Sequence, residues 1–278
     1  MNPAQQTPGA DRQLTPDEIA AAIGAVQRVF RQVRPLILER AGKVGFIDKQ
    51  DGSPVTDTDV EVEKTILGAL RHHSAAVPVY GEEGGYEDEL PPVCWLVDPI
   101  DGTKSFIENI PTFTCMAVLI QGGEAVASVI YNPSTDAMYT AQKGRGAYKN
   151  GVRLDLRSVT LPHMALCKGR FINTLNRILA PKGVRCEYGP SGGGHGLTLV
   201  ADGKVAARFN MLGGGYIHDY APGALLVREA GGAILPVKDD IYTYECRSFV
   251  ACHPDLEPLL LHRLLELRAL EVDLADKE

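Results

Sequence analysis

A short apolar run, Val93 to Val97, leads straight into two aspartates, Asp98 and Asp101, spaced around Pro99 and followed by Gly102-Thr103. Burying unpaired charge is costly, so a chain that ends an apolar strand in two carboxylates must gather something around them. The run predicts a buried strand over Val93–Val97, with Asp98 at its C-terminal end, where α/β folds place ligand sites. Pro99 fixes its own φ and removes a donor, and Gly102 opens backbone conformations closed to other residues. Thr103 and Lys104 can then open a helical turn whose N–H groups face the same cavity. Two carboxylates share a site cheaply only when one holds a proton or a cation lies between them. The D-T/S-G arrangement of a proton-sharing aspartic protease pair is absent.

Acids elsewhere favour the cation. Glu82 and Glu83 close a preceding short strand in VPVYGEEGG, Asp57 and Asp59 open a predicted helix to about Arg71, and Asp219 opens another. Hard oxygen donors without a His or Cys set suit Mg²⁺ or Mn²⁺ rather than zinc. Capping is the competing account for Asp57 and Asp219, and Glu83 and YEDEL (86–90) read as solvated charge.

The 278 residues carry a net charge of −7, which argues against a general nucleic-acid binder and leaves an anionic substrate in need of local help. The six cysteines form no C-x-x-C pair and read as small core residues. With no apolar leader segment and no run of bilayer length, the expected setting is a reduced cytoplasm, away from membranes.

Residues 1–14 read as a loose polar tail, followed by a helix capped by Thr15 with Pro16 and Glu18 completing the start signal. TFTCMAVLIQGGEAVASVIYNP predicts two strands around a Gly-Gly turn, and further strands end in Asn150-Gly151. The pattern loosens over 155–190, which divides the chain into an N-terminal half, 15–155, and a C-terminal half, 156–278. Alternating helices and strands, with a terminal helix from about Pro254, indicate a layered α/β or α+β fold.

Four blocks, GSPVTDTD (52–59), GEEGG (81–85), WLVDPIDGTKSF (95–106) and HDYAPGALLVREAGG (218–232), resemble the inositol monophosphatase superfamily in order and separation. DGSPVT and DGTKSFIENIPTF look closest to its histidinol-phosphatase-like branch. The resemblance implies an αβαβα sandwich of the inositol monophosphatase/fructose-1,6-bisphosphatase type and a dimer. It implies metal ligation by Glu82, Asp98, the Ile100 carbonyl, Asp101 and Asp219, for two or three Mg²⁺ ions. Asp59 with Thr103 matches the family's water-orienting pair, with Glu82 grouped with them as catalytic. Gly102 and Thr103 would offer N–H groups to the phosphate. The activity implied is hydrolysis of a small phosphate monoester of histidinol, inositol or sugar type. The alternatives are a 3′(2′),5′-bisphosphate nucleotidase and an inactive homologue that binds a phosphorylated metabolite.

The chain also departs from the family. His218 replaces the usual aromatic residue before the aspartate, and it can contact substrate or pack beside the site. Pro222 follows Ala221, where it still fits a first helical turn. Segment 189–204 carries three consecutive glycines and His195; a flexible connection is the favoured account, close approach to substrate the other. The polyol-binding acid expected near 208–216 is missing, with Asn210 the nearest polar candidate. Lys168 and Arg170 read as surface cations.

Overall fold

The computed structural model describes residues 12–73, 77–85, 90–167, 169–190, 192–211 and 213–275, with side chains described to residue 270. Residues 1–11 of the expected tail, residues 86–89 of the acidic run and Lys168 lie outside the described residues.

Helix α1 (Pro16–Arg40) starts at the predicted box: Thr15 accepts from the Glu18 N–H, and the Glu18 carboxylate accepts from the Thr15 N–H at 2.8 Å. Its helical spacing puts Ile19, Ala22, Val26, Val29, Phe30, Val33 and Ile37 on one buried stripe. A two-stranded hairpin, β1 (Ile47–Asp48) and β2 (Pro54–Val55), precedes α2 (Asp57–His73).

Strands β3 (Val79–Gly81), β4 (Val93–Asp101), β5 (Thr114–Gln121), β6 (Glu124–Asn132), β7 (Ala137–Gln142), β8 (Gly146–Lys149) and β9 (Val152–Leu154) form one sheet in sequence order. All neighbours are antiparallel except β3 and β4. The two-residue turns expected from the glycines hold: Gly122 and Gly123 have φ of 60° and 76°, and Asn150 and Gly151 have 48° and 81°. These left-handed pairs match the twist of the flanking strands. Helix α3 (Thr103–Ile107) follows β4 directly.

A second sheet is built from β10 (Met164–Cys167), β11 (Arg185–Tyr188), β12 (Ala207–Asn210), β13 (Ala233–Pro236) and β14 (Phe249–Cys252), in the order β11-β10-β12-β14-β13. Helices α4 (Ile172–Leu179), α5 (Gly193–Ala201), α6 (Ile217–Glu229), α7 (Glu257–His262) and α8 (Leu264–Ala275) complete the fold. The single terminal helix expected from Pro254 is instead a 3-10 turn followed by two helices, broken at Arg263.

Alternation along the strands sorts these elements into layers. On β5, Cys115, Ala117 and Leu119 join the core beneath α1 and α2, whereas Met116 faces the opposite core with α5 and α6. That second core reaches Phe249 and Ala251 of β14, while Val250 and Cys252 face α4, α7 and α8. The order is therefore helix pair, sheet, helix pair, sheet, helices: an αβαβα sandwich.

The strand expected to stop at Val97 continues through both aspartates to Asp101. In a regular strand residues three apart point to opposite faces. Here Asp98 pairs with Met116 and Asp101 with Thr114, so β4 carries one residue more than β5 across the same interval. This bulge turns both carboxylates to the face of α5 and α6.

Helices α5 and α6 touch through Gly223, where an added Cβ would lie 2.4–2.5 Å from Leu197 side-chain carbons. Gly223→Val is expected to cost about 1–3 kcal/mol through overpacking, read as a lowered melting temperature in thermal denaturation.

Candidate metal and phosphate site

The bulged end of β4, the turn after β3, the start of α3 and the first turns of α5 and α6 meet at one cavity of about 520 Å³. Its acidic side holds Glu82, Asp98, Asp101 and Asp219, beside Ile100 and the Gly102–Lys104 turn. Donor atoms of Asp98, Asp101 and Asp219 lie within 4.8 Å of one another, and so do those of Glu82, Asp98 and His218. Asp98 belongs to both groups.

Asp98 is 1% exposed, and neither carboxylate oxygen has a hydrogen-bond partner among the described residues. Burial raises its pKa well above the ordinary carboxylate range, and the charges of Glu82, Asp101 and Asp219 push it further. Orphaned buried carboxylate oxygens of this kind ordinarily cost several kcal/mol. The carboxylates that converge on them, with His218 the one nitrogen donor among the two groups, fit a hard divalent cation.

Asp101 is supported differently. Its Oδ1 accepts from the Gly193 N–H at 3.0 Å, and its Oδ2 from the Gly194 N–H at 2.8 Å and the Thr114 hydroxyl at 3.2 Å. Burial and Asp219 push Asp101 up to about 7, against the pull of those N–H groups. The three glycines are thus no flexible connection. A Cβ at Gly192 would fall 2.5 Å from Asp101 Oδ2, at Gly193 2.4 Å from the Asp219 carbonyl, and at Gly194 2.2 Å from Met116 Sδ. Side chains are excluded because helix α5 must bring its first N–H groups onto a buried carboxylate, where its dipole also favours negative charge.

Asp219 sits in the first turn of α6, and its Oδ2 accepts from the Tyr216 N–H at 2.5 Å. Glu82 pairs with Lys49 at 2.8 Å and lies 3.7 Å from His218 Nε2. Glu83, expected in solvent, is largely buried and pairs with Lys49 at 2.8 Å. The Glu82–Gly84 turn is pinned from beneath by Glu63, which accepts from the Glu83 and Gly84 N–H groups at 2.7 and 3.0 Å.

Asp59 is 1% exposed. Its Oδ2 accepts from the Thr56 N–H at 2.9 Å and the Thr56 hydroxyl at 2.5 Å. The Thr103 hydroxyl lies 3.4 Å from Asp59 Oδ1 and 3.2 Å from the Ile100 carbonyl. Burial raises the Asp59 pKa against the pull of Thr56. Gly102 takes φ 85°, which frees the strand to turn directly into α3.

The three substrate candidates are placed apart. His218 is 2% exposed, stacks on Tyr216 with ring centroids 5.4 Å apart, and is held at about 4 by burial, against the pull of Glu82. Asn210 is buried, its amide donating to the Arg247 carbonyl, and neither Asn210 nor His195 lines the described part of the cavity. Burial, with Lys204 and Arg208, holds His195 at about 4.

Several supporting residues escaped the sequence reading. Thr56 stands three residues before Asp59, the same T-x-x-acid spacing as Thr15 and Glu18, so the capping-box pattern could have found it. Glu63, Thr114 and Tyr188 had no such local signal.

The sequence matches the family described as "Inositol monophosphatase family" over residues 11–269. An inositol-1-monophosphatase from Mesorhizobium japonicum is 35% identical over 202 residues, 67% of this chain and 73% of that protein. A Nus factor SuhB from Pseudomonas aeruginosa is 31% identical over 230 residues, 78% and 82% of the two chains. Among solved structures, a Thermotoga maritima IMPase superposes with a TM-score of 0.75 at 21% identity, covering 92% of this chain and 98% of the other. With the sequence matched almost end to end and the layered fold shared, the chain belongs to the inositol monophosphatase family.

Proposed function

We propose that this chain is a divalent-metal-dependent phosphatase that hydrolyses a small-molecule phosphate monoester by activated water. The observation that carries the proposal is Asp98, whose two buried oxygens face three other carboxylates and no hydrogen-bond donor among the described residues. Glu82, Asp98, the Ile100 carbonyl, Asp101 and Asp219 would hold two or three Mg²⁺ ions, with Mn²⁺ as a substitute. Bound there, the cations would supply Lewis-acid charge stabilisation and lower the pKa of water.

The chain's own groups do the rest. Asp59 and Thr103 form a hydroxyl–carboxylate pair beside the Ile100 carbonyl. With Oδ2 of Asp59 committed to Thr56, its Oδ1 and the Thr103 hydroxyl are left to orient a water and take its proton. Gly102 and Thr103 line the cavity, and their N–H groups would cradle phosphate oxygens as fixed dipoles. Positioning and charge stabilisation of this kind account for most phosphoryl-transfer catalysis.

The relative named as a Nus factor supports a second reading, a binding protein without turnover. The Asp59–Thr103 pair favours hydrolysis, because binding alone does not need it. Among the described residues no helix is long and apolar enough to cross a membrane.

Phosphate release from a panel of monoesters is expected to require Mg²⁺ and to fall at least about 100-fold in Asp101→Asn and in Asp59→Asn. Retention of wild-type rates in a chelator would sink the proposal.

The acids also set a pH dependence. A carboxyl raised in the folded state contributes stability below its unfolded value near 4, and that contribution is lost as pH rises through its folded value. For metal-free Asp101 the window is roughly pH 4 to about 7. His195 and His218, held low by burial, run the other way below roughly pH 6.5, so the difference made by metal is the quantity to follow. Cations require the deprotonated ligands. The rise in melting temperature on adding Mg²⁺ is therefore expected to grow as pH increases through the range in which Asp101 ionises, up to about 7. A rise independent of pH would place the cation elsewhere.

A further inference from the structure

The cavity extends beyond the acids to a second wall, Tyr188–Gly189–Pro190, at the end of edge strand β11. Gly192 follows in the same cavity, and its Cα lies 3.7 Å from the position a Cβ would take on Gly102. The wall is thus joined directly to the turn proposed to hold the phosphate. Gly192 lies four positions after Tyr188, a span of at most about 14 Å even fully extended. A leaving group attached to that phosphate would lie in the same cavity as this wall.

The wall's chemistry is not that of a polyol site. A sugar or cyclitol is recognised by several side-chain carboxylates and amides that match its hydroxyls. Among the described residues on this side, glycines and Pro190 offer none, and Pro54 of the hairpin adds further apolar surface to the cavity. Asn210, the polar candidate in 208–216, is turned to the Arg247 carbonyl. Asp51 also lines the cavity, but its Oδ1 is taken by Ser53 and its Oδ2 faces the Tyr216 hydroxyl at 3.4 Å.

Tyr188 is 71% exposed while lining the cavity. Its ring rests against Gly169, where an added Cβ would lie 3.2 Å from Cε2. The ring has a small backing residue on one side and open space on another, on a strand hydrogen-bonded in register to β10. An exposed aromatic face beside apolar prolines is suited to binding flat rings by stacking.

We infer that Tyr188 is a specificity-determining residue that stacks on a planar ring in the leaving group, so that the substrate class is a phosphate monoester of a heteroaromatic-bearing alcohol. This inference rests on the phosphatase reading and narrows it. An imidazole or a nucleobase fits the stated chemistry.

The test compares two ring-bearing esters, histidinol phosphate and adenosine 2′-monophosphate, with two ring-free ones, myo-inositol 1-phosphate and glycerol 2-phosphate. Each is assayed with Mg²⁺ on wild type, Tyr188→Ala and Tyr188→Phe. In Tyr188→Ala, KM for at least one ring-bearing ester is expected to rise about tenfold, the scale of one aromatic contact. Ring-free esters should change by less than about twofold, and Tyr188→Phe should restore the ring-bearing KM. Melting temperatures of both variants should match wild type, since the ring is exposed. Equal changes for both classes, or none, would overturn the stacking role while leaving the phosphatase intact. Failure of wild type to release phosphate from any ester would overturn the phosphatase reading itself.

Discussion

Repulsion among carboxylates at the end of β4 is the constraint around which this molecule is arranged. Asp98 and Asp101 stand close to Asp219, with Glu82 also near Asp98, and burial denies Asp98 and Asp101 the screening of water. Such a cluster persists only where surrounding structure holds it in place. The bulge in β4 turns both aspartates to one face, the first turn of α5 grips Asp101, and Glu63 fixes the turn that presents Glu82. Each support comes from a different layer, so the sandwich as a whole opposes the electrostatic cost. The strain left over, concentrated on the Asp98 oxygens, would be relieved by a cation.

The supports are unequal, and the differences carry chemical meaning. Asp101 takes three donors and Asp59 two from Thr56, which fixes their orientation. Asp98 takes none among the described residues, so neither of its oxygens is committed to a hydrogen-bond donor. A residue that joins two ligand groups gains from having no competing donor. Lys49, between Glu82 and Glu83, already brings one positive charge to the outer edge of the cluster.

Much of this was legible in the chain before any coordinates. The α1 start, the Gly122-Gly123 and Asn150-Gly151 turns and the acidic blocks are local signals, carried by residues near each other in sequence. The bulge was not legible, because an extra residue in β4 exists only relative to β5, and no reading of Val93–Asp101 alone can count it. The glycine run was misread for a related reason. Its small residues answer to Asp101, Asp219 and Met116, which are distant in sequence and close only in the fold. Glu83 likewise looks like surface charge until Lys49 and the hairpin cover it.

The placement of Tyr188 has a consequence for how such enzymes diversify. The acids stand on the first sheet and on α6, whereas the wall they face ends an edge strand of the second sheet. Among the described strands only β10 pairs with it, and its last residue, Tyr188, is exposed. Replacements there disturb neither the carboxylates nor the packed layers. A lineage built on this scaffold can exchange one alcohol for another by drift at a few edge positions, with its hydrolytic machinery inherited unchanged.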